Sequence, residues 1–310
     1  MSKKIIPFVV AIVLSCLVMA VAGVFSFSGL ITAEKFGDRL VWSQPYNTAE
    51  SMKVIDLTGD GQDELFLQNT DNVSVLDGAG NSLWSFGYSS PKTTLGDVNK
   101  DGIEDIVVYY VGIGMSVDVI SQGQVQPLAQ ALDVGFPSRV AVIRFTSGPQ
   151  IVLGDNTGGV LSLGLDGQPR WNATVGSEEM RGMDDALIGG QPNVVIATHD
   201  GSIGVYDAQG NAIWTHSQEQ LRRMRAFDLN GDGNSEVITG GEYGAFFIYS
   251  AVDGSVLFNK SLGQPISEIR TVELNGDPSS REVVVGGKEG GVWAFSFDGT
   301  AARQLWTGSL

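Results

Sequence analysis

One stretch of the sequence has the residue types and spacing of a loop that binds a hard cation. Carboxylate and amide side chains occupy positions one, three, five and nine of a run that starts at Asp228, and Gly233 stands at position six. Oxygen atoms at alternate loop positions can converge on one ion, and glycine permits the tight turn around it. Calcium fits better than magnesium, because an irregular cage of about 6–8 oxygens suits the larger ion. The predicted ligands are Asp228, Asn230, Asp232, Asn234 through its carbonyl, and Glu236.

The same pattern occurs twice more, nearer the N-terminus. One copy consists of Asp56, Thr58, Asp60, Gln62 and Glu64, and the other of Asp97, Asn99, Asp101, Ile103 and Asp105. A weaker copy begins at Glu273, where Pro278 replaces the glycine and Glu282 comes one residue late, and we expect it to hold no metal. In the three complete loops we expect structural calcium, which neutralises carboxylates that would otherwise repel one another.

Composition limits the class of protein. The chain has 310 residues and is rich in glycine, with 41, which suits an all-β fold with many turns. A formal net charge of −16 argues against a nucleic-acid partner, which normally needs a basic surface. Cys16 is the single cysteine, so neither an internal disulfide nor a cysteine-based metal or redox site can form.

The N-terminus carries a long apolar run. After Lys3 and Lys4, the sequence is apolar from Ile5 to Ile31, which is longer than the roughly 20 residues that span a bilayer as a helix. We therefore expect residues 1–32 to form a transmembrane anchor or uncleaved signal, with the lysines in the cytoplasm and residues 33–310 outside it. A cleaved signal is the alternative, because Ala20-Val21-Ala22 resembles a cleavage site.

The loops belong to a longer repeat. Their spacing fits a step of about 43 residues if two copies that lack a metal loop lie near Ala141 and at Asp184. Each unit also contains an apolar strand, an alternating strand and a strand with Trp or Phe, and four short strands per unit are typical of a propeller blade. We predict an all-β fold: a β-propeller of six four-stranded blades, starting near residues 48, 91, 133, 177, 219 and 264. A surplus strand at residues 38–43 could pair with the last blade, and seven blades would also fit.

These repeats resemble two known families. The calcium loops followed by apolar strands look like FG-GAP or VCBS propeller repeats. The Asp-Gly…Trp halves, such as Asp200 to Trp214, look like the quinoprotein-type (PQQ-like) repeats of the β-barrel assembly lipoprotein. Together the resemblances imply a propeller whose loop cations brace the blades, and they imply no single function. Quinoprotein dehydrogenases carry an adjacent cysteine pair under the cofactor. This sequence has no such pair, which argues against a quinone cofactor.

A second group of residues could bind an anion. Basic side chains recur shortly before the loop starts, with Lys92 near a corresponding place, and we expect them to surround one mouth of the central channel. They could hold a carboxylated sugar or a phosphate, or each could pair with an acid on the next blade, such as Glu179 or Glu268. The predicted ring consists of Lys53, Arg139, Arg181, Arg225 and Arg270.

The function expected from the sequence is that of a binding module. Rigid repeat scaffolds offer broad loop surfaces, and no catalytic constellation stands out, so we expect no enzyme. The partner would be a protein or a surface glycan, bound by a membrane-anchored extracytoplasmic propeller. Two alternatives remain open: an enzyme that acts on polysaccharide or is an atypical quinoprotein, and a subunit of an envelope assembly complex.

Overall fold

All regular secondary structure in the described part of the chain is β. The computed structural model describes residues 28–35, 39–47, 49–276 and 280–309. Within these residues no helix has the length and apolar character needed to cross a bilayer. Most of the predicted N-terminal helix, residues 5–27, lies outside the described residues. Its last residues, from Ser28 onward, belong to a strand.

The chain divides into two compact units, residues 1–133 and 134–310. The first unit begins with a hairpin of β1 (Ser28–Lys35) and β2 (Arg39–Asn47), which pair antiparallel. The surplus strand predicted at residues 38–43 therefore pairs with the segment before it, and not with the last blade. A short hairpin connection costs little loop-closure entropy, and the last blade already has four strands of its own.

Two four-stranded antiparallel sheets complete the first unit, each with its strands in chain order. The first sheet contains β3 (Ser51–Ile55), β4 (Glu64–Gln68), β5 (Asn72–Leu76) and β6 (Ser82–Gly87). The second contains β7 (Lys92–Gly96), β8 (Asp105–Gly112), β9 (Gly114–Ser121) and β10 (Gln124–Leu132).

The second unit contains four sheets of the same kind. The first two consist of β11 (Pro137–Phe145), β12 (Gly148–Asp155), β13 (Gly159–Gly164) and β14 (Pro169–Thr174), then β15 (Met180–Ile188), β16 (Gln191–Thr198), β17 (Ser202–Tyr206) and β18 (Ala212–Ser217). The last two consist of β19 (Leu221–Phe227), β20 (Glu236–Gly241), β21 (Ala245–Ser250) and β22 (Val256–Ser261), then β23 (Ile266–Val272), β24 (Glu282–Gly287), β25 (Gly291–Phe297) and β26 (Ala302–Ser309).

Six four-stranded antiparallel sheets are consistent with the predicted six-bladed propeller. Each begins one to four residues after the predicted boundary; the largest difference is Pro137 against 133. In the second unit, the first strands of successive sheets contact one another: β11 with β15, β15 with β19, and β19 with β23. We call each sheet a blade and its first strand the inner strand.

The apolar core lies between successive blades. Second strands are buried on both faces, and every residue of β20 is buried, as expected for continuous apolar runs covered on two sides. One cluster between the β15–β18 and β19–β22 blades includes Ala186, Val195, Val237 and Tyr249. The fourth strands are mostly exposed, as in β18, where only Trp214 is buried.

The two repeats without a metal loop differ from the prediction in their register. Asp184 was expected near a loop start, but it lies inside β15 and pairs with Val195. A two-residue turn of Gly189 and Gly190, both at positive φ, joins β15 directly to β16. Ala141 likewise lies inside β11. Glycines at both turn positions allow the tight β15–β16 hairpin. Thr146 and Ser147 form the corresponding turn between β11 and β12, so in both blades the inner strand continues where the other blades form a loop.

Candidate functional site

Main-chain N–H groups hold the acids of the loop between β3 and β4 in place. The carboxylate of Asp56 accepts hydrogen bonds from the N–H groups of Gly59 at 2.7 Å and Gly61 at 2.8 Å. The bond from Gly59 is the main reason that the pKa of Asp56 is lowered. Buried Glu64 closes the loop by accepting a bond from the N–H of Leu57 at 2.8 Å. The main chain of the loop therefore fixes the positions of these carboxylate oxygens.

The oxygen donors of this loop converge. One carboxylate oxygen from each of Asp56, Asp60 and Glu64 lies within 4.8 Å of the others. The hydroxyl of Thr58, at predicted ligand position three, is buried and has no hydrogen-bond partner among the described residues. An unpartnered buried hydroxyl is costly, and beside three carboxylates it completes an all-oxygen donor set that suits calcium.

The other loops have the same main-chain frame. In each, a buried acid accepts a hydrogen bond from the N–H of the second loop residue. The pairs are Asp105 with Val98 at 2.9 Å, Glu236 with Leu229 at 2.9 Å and Glu282 with Leu274 at 2.7 Å. The weaker fourth loop thus keeps its closing contact, although residues 277–279, which include Pro278, lie outside the described residues.

Side chains in the second and third complete loops are arranged differently. Within the described residues, their acids do not bring three carboxylate oxygens within 4.8 Å of one another. Instead the amide of Asn99 donates to Asp101 at 3.0 Å, and the amide of Asn230 donates to Asp232 at 3.1 Å. Ile103 and Asn234 each donate their main-chain N–H to the preceding aspartate at 2.8 Å.

Glu236 shows the electrostatic cost of the third loop. Burial, together with the charges of Asp232 and Asp228, raises the pKa of this carboxyl to about 7. The N–H of Leu229 opposes the rise. A cation held between these acids would remove the repulsion.

The residues of the predicted basic ring occupy different positions in their blades. Lys53, Arg225 and Arg270 are equivalent, since each pairs with the residue two positions after the closing acid. Arg139 pairs with Gly154 near the start of β11, and Arg181 lies at a bulge in β15. The five basic residues therefore do not form one equivalent set, because the prediction placed the loop starts inside β11 and β15.

Two of these arginines pair with acids close to them in the chain. Arg181 contacts Glu179 at 2.8 Å, and Arg270 contacts Glu268. Each acid lies two residues before its arginine in the same segment. The partners expected from the sequence were acids on the next blade.

Two exposed aromatic side chains in the second unit were not singled out from the sequence. Phe136, just before β11, is 59% exposed, and Tyr243, in the turn between β20 and β21, is 69% exposed. The main-chain carbonyl of Phe136 accepts a hydrogen bond from the N–H of Asn156 in the β12–β13 turn. In a four-stranded meander, the entry to the first strand and the turn between the second and third strands lie at the same end. Both aromatics therefore lie at the end opposite the Asp228 loop.

A family model supports the PQQ-like part of the resemblance. The model described as outer membrane protein assembly factor BamB matches residues 199–310, from the end of β16 through the last two blades. A curated relative, BBSome complex member BBS2 of Homo sapiens, is 27% identical over 135 residues. That match covers 38% of this chain and only 19% of the relative's own length.

Solved structures support the propeller fold. BamB from Moraxella catarrhalis superposes with a TM-score of 0.62 at 14% identity, covering 92% of this chain and 84% of that one. BBS1N, solved in complex with ARL6DN, superposes with a TM-score of 0.61 at 11% identity, covering 87% of this chain and 91% of that one. At such low identity, these similarities concern the fold alone.

Proposed function

We propose that this chain is a propeller scaffold that binds another protein through the end of the second unit where Phe136 and Tyr243 lie. The observation that carries the proposal is the exposure of these two aromatic side chains at one end of the blades. Large aromatic residues are enriched among the residues that dominate protein interfaces, and these two lie at the same end of their blades.

The comparisons add support of a general kind. The model that matches residues 199–310 is described as an assembly factor, and the curated relative is a member of a complex. A role in assembling an envelope complex is therefore favoured over polysaccharide chemistry or an atypical quinoprotein.

The proposal also includes bound calcium and a membrane anchor. Asp56, Thr58, Asp60 and Glu64 would hold a calcium ion, with equivalent ions in the Asp97 and Asp228 loops, as FG-GAP or VCBS repeats do. The bound ion would neutralise the acids and fix the turn between the first two strands. The apolar N-terminal run would anchor the propeller outside the cytoplasmic membrane.

Site-specific photocrosslinking tests the scaffold proposal. A photoreactive residue is placed at position 136, 243 or 252 of the full chain in its native membranes. Val252 is a control, because it is exposed in the β21–β22 turn at the other end of its blade. We expect one discrete adduct from positions 136 and 243 and none from position 252.

A variant decides whether the aromatics themselves bind the partner. Phe136→Ser with Tyr243→Ser should remove the partner from a pull-down, whereas Val252→Ser should retain it. Circular dichroism checks that both variants are folded. Equal recovery of the partner with both variants, or crosslinks from all three positions alike, would contradict the proposal.

A further inference from the structure

Three neighbouring inner strands of the second unit carry arginines that lie close together. Arg139 pairs with Gly154 and Arg223 pairs with Gly240, so they occupy the same position in their blades. Gly182 occupies this position on β15, between them, and brings no side chain. Arg181 is the bulged residue just before it. Since β15 contacts both β11 and β19, the three arginines share one region, which we call the arginine cluster.

The charges of the arginine cluster are poorly matched by acids. The guanidinium of Arg139 donates to the carbonyl of Ser138 at 3.0 Å, and that of Arg223 donates to the carbonyl of Arg222 at 2.8 Å. Within the described part of the chain, neither forms an ion pair. Both side chains are only partly exposed.

Arg181 adds an unpartnered donor. It pairs with Glu179 through one terminal nitrogen, at 2.8 Å. Its Nε atom is buried and, among the described residues, has no hydrogen-bond partner. A buried donor on a charged group is costly to leave unpaired. This N–H therefore requires an acceptor that the described residues do not supply.

The electrostatics agree with this placement. Burial lowers the pKa of Arg139, and the charges of Arg223 and Arg181 lower it further, against the charge of Glu179. Burial also lowers the pKa of Arg223, against the charge of Glu268. Glu268 itself is paired with Arg270. The cluster therefore combines partial desolvation with like-charge repulsion, a combination that a bound anion would relieve.

We propose that the arginine cluster is a binding site for an oxyanion, a carboxylate or phosphate group. It is separate from the calcium loops and lies where the inner strands begin, at the same end of the blades as Phe136 and Tyr243. Guanidinium groups present a planar set of N–H donors that matches both oxyanions in two-point contacts. The ligand oxygens would accept bonds from Arg181 Nε and from the free N–H groups of Arg139 and Arg223. Such a ligand would hold three blades together.

The probes are inorganic phosphate and citrate, titrated into the full chain at constant ionic strength set with chloride, with binding measured by calorimetry. We expect saturable binding of at least one probe, and the probe that binds identifies the class of oxyanion. The variant Arg139→Gln with Arg223→Gln should weaken binding about tenfold or more, because it removes two charged donor groups. The charge-matched control is Arg170→Gln with Arg303→Gln, which alters two exposed arginines outside the cluster and should leave binding unchanged.

Thermal melting in chloride alone supplies a second readout. Removing arginines that repel one another should leave the melting temperature unchanged or raise it, whereas arginines with a purely structural role would lower it. Arg139→Lys with Arg223→Lys keeps the charge but loses the planar donors, and it should bind with intermediate affinity. The proposal is overturned if the unaltered chain binds neither probe saturably, or if the glutamine variant binds as tightly as the control.

Discussion

The indole ring of Trp171, in β14, lies against the main chain of Gly210, in the turn between β17 and β18 of the next blade. A Cβ atom added at Gly210 would lie 2.8 Å from the ring. Trp214 and Gly254 repeat this arrangement one blade later, at 2.9 Å. Both glycines have positive φ. The tryptophan of one blade thus closes over a glycine turn of the next, which links the blades at their outer edge.

This contact predicts that Gly210→Ala lowers the unfolding free energy substantially. Positive φ costs a non-glycine residue about 1–2 kcal/mol, and forcing a methyl group into a packed site costs about 1–3 kcal/mol. We expect urea denaturation to show a loss of about 2–5 kcal/mol in unfolding free energy. Gly263→Ala is the control, since its φ is +74° and nothing lies within 4 Å of the added atom. Equal losses in both variants would mean that the indole contact contributes nothing.

The first metal loop predicts calcium-dependent stability. Calcium at about a hundredfold above its Kd would add about 2.7 kcal/mol to the unfolding free energy for one site. Differential scanning calorimetry should show a lower melting temperature in EDTA. Asp60→Asn removes the negative charge of a ligand and should reduce the calcium-dependent shift, while Asp63→Asn, an exposed acid of the same loop, should not. A melting temperature indifferent to EDTA would remove the calcium assignment.

Asp184 predicts a pH dependence of stability. Burial raises the pKa of this carboxyl to about 6, against the opposing effects of the Ala226 N–H, which donates at 3.2 Å, and of Arg225. Because the folded state disfavours the ionised form, unfolding free energy should fall as pH rises from about 4 to about 7. The rise in pKa corresponds to about 3 kcal/mol.

Asp184→Asn should remove this component in urea denaturation across that pH range. Asp185→Asn is the informative control. Asp185 is exposed, and its charge helps to raise the pKa of Asp184, so its removal should keep the dependence but move the midpoint to lower pH. If Asp184→Asn and the unaltered chain have the same pH profile, the burial argument is wrong.

Asp118 predicts a stabilising substitution. This buried carboxylate accepts a hydrogen bond from the hydroxyl of Tyr88 at 3.2 Å, and its Oδ1 has no partner among the described residues. Burial raises its pKa, so its ionisation opposes folding as pH rises.

Asp118→Asn removes that charge and should increase unfolding free energy at pH 7 by about 1–3 kcal/mol. The gain should shrink as pH falls, because protonation of the carboxyl in the unaltered chain removes the same charge. Asp133→Asn, at an exposed position, should change little. A loss of stability at pH 7 would mean that the hydrogen bonds from Tyr110 and Tyr88 to the carboxylate outweigh the cost of burying its charge.

The four-stranded repeat and the frame of the metal loops could be predicted from sequence, because both depend on neighbours along the chain, whereas sequence left six or seven blades open. Strand periodicity repeats within each unit, and the closing acid reaches an N–H only seven residues away, as Glu64 reaches Leu57. The strand pairing in the two blades without a metal loop could not be predicted. In one of them, Gly189 and Gly190 form a turn in place of the loop, so the spacing from which the basic ring was predicted does not apply there.

The sequence by itself determined an all-β fold of repeated four-stranded sheets with acidic loops after three inner strands. Only the tertiary structure decided that Arg223 joins Arg139 and Arg181, and that Phe136 and Tyr243 stay exposed. A bulge at the start of each of these inner strands shifts its side chains by one residue. The inner strands then bring together arginines about 40 residues apart, whereas local sequence patterns reach only a few positions.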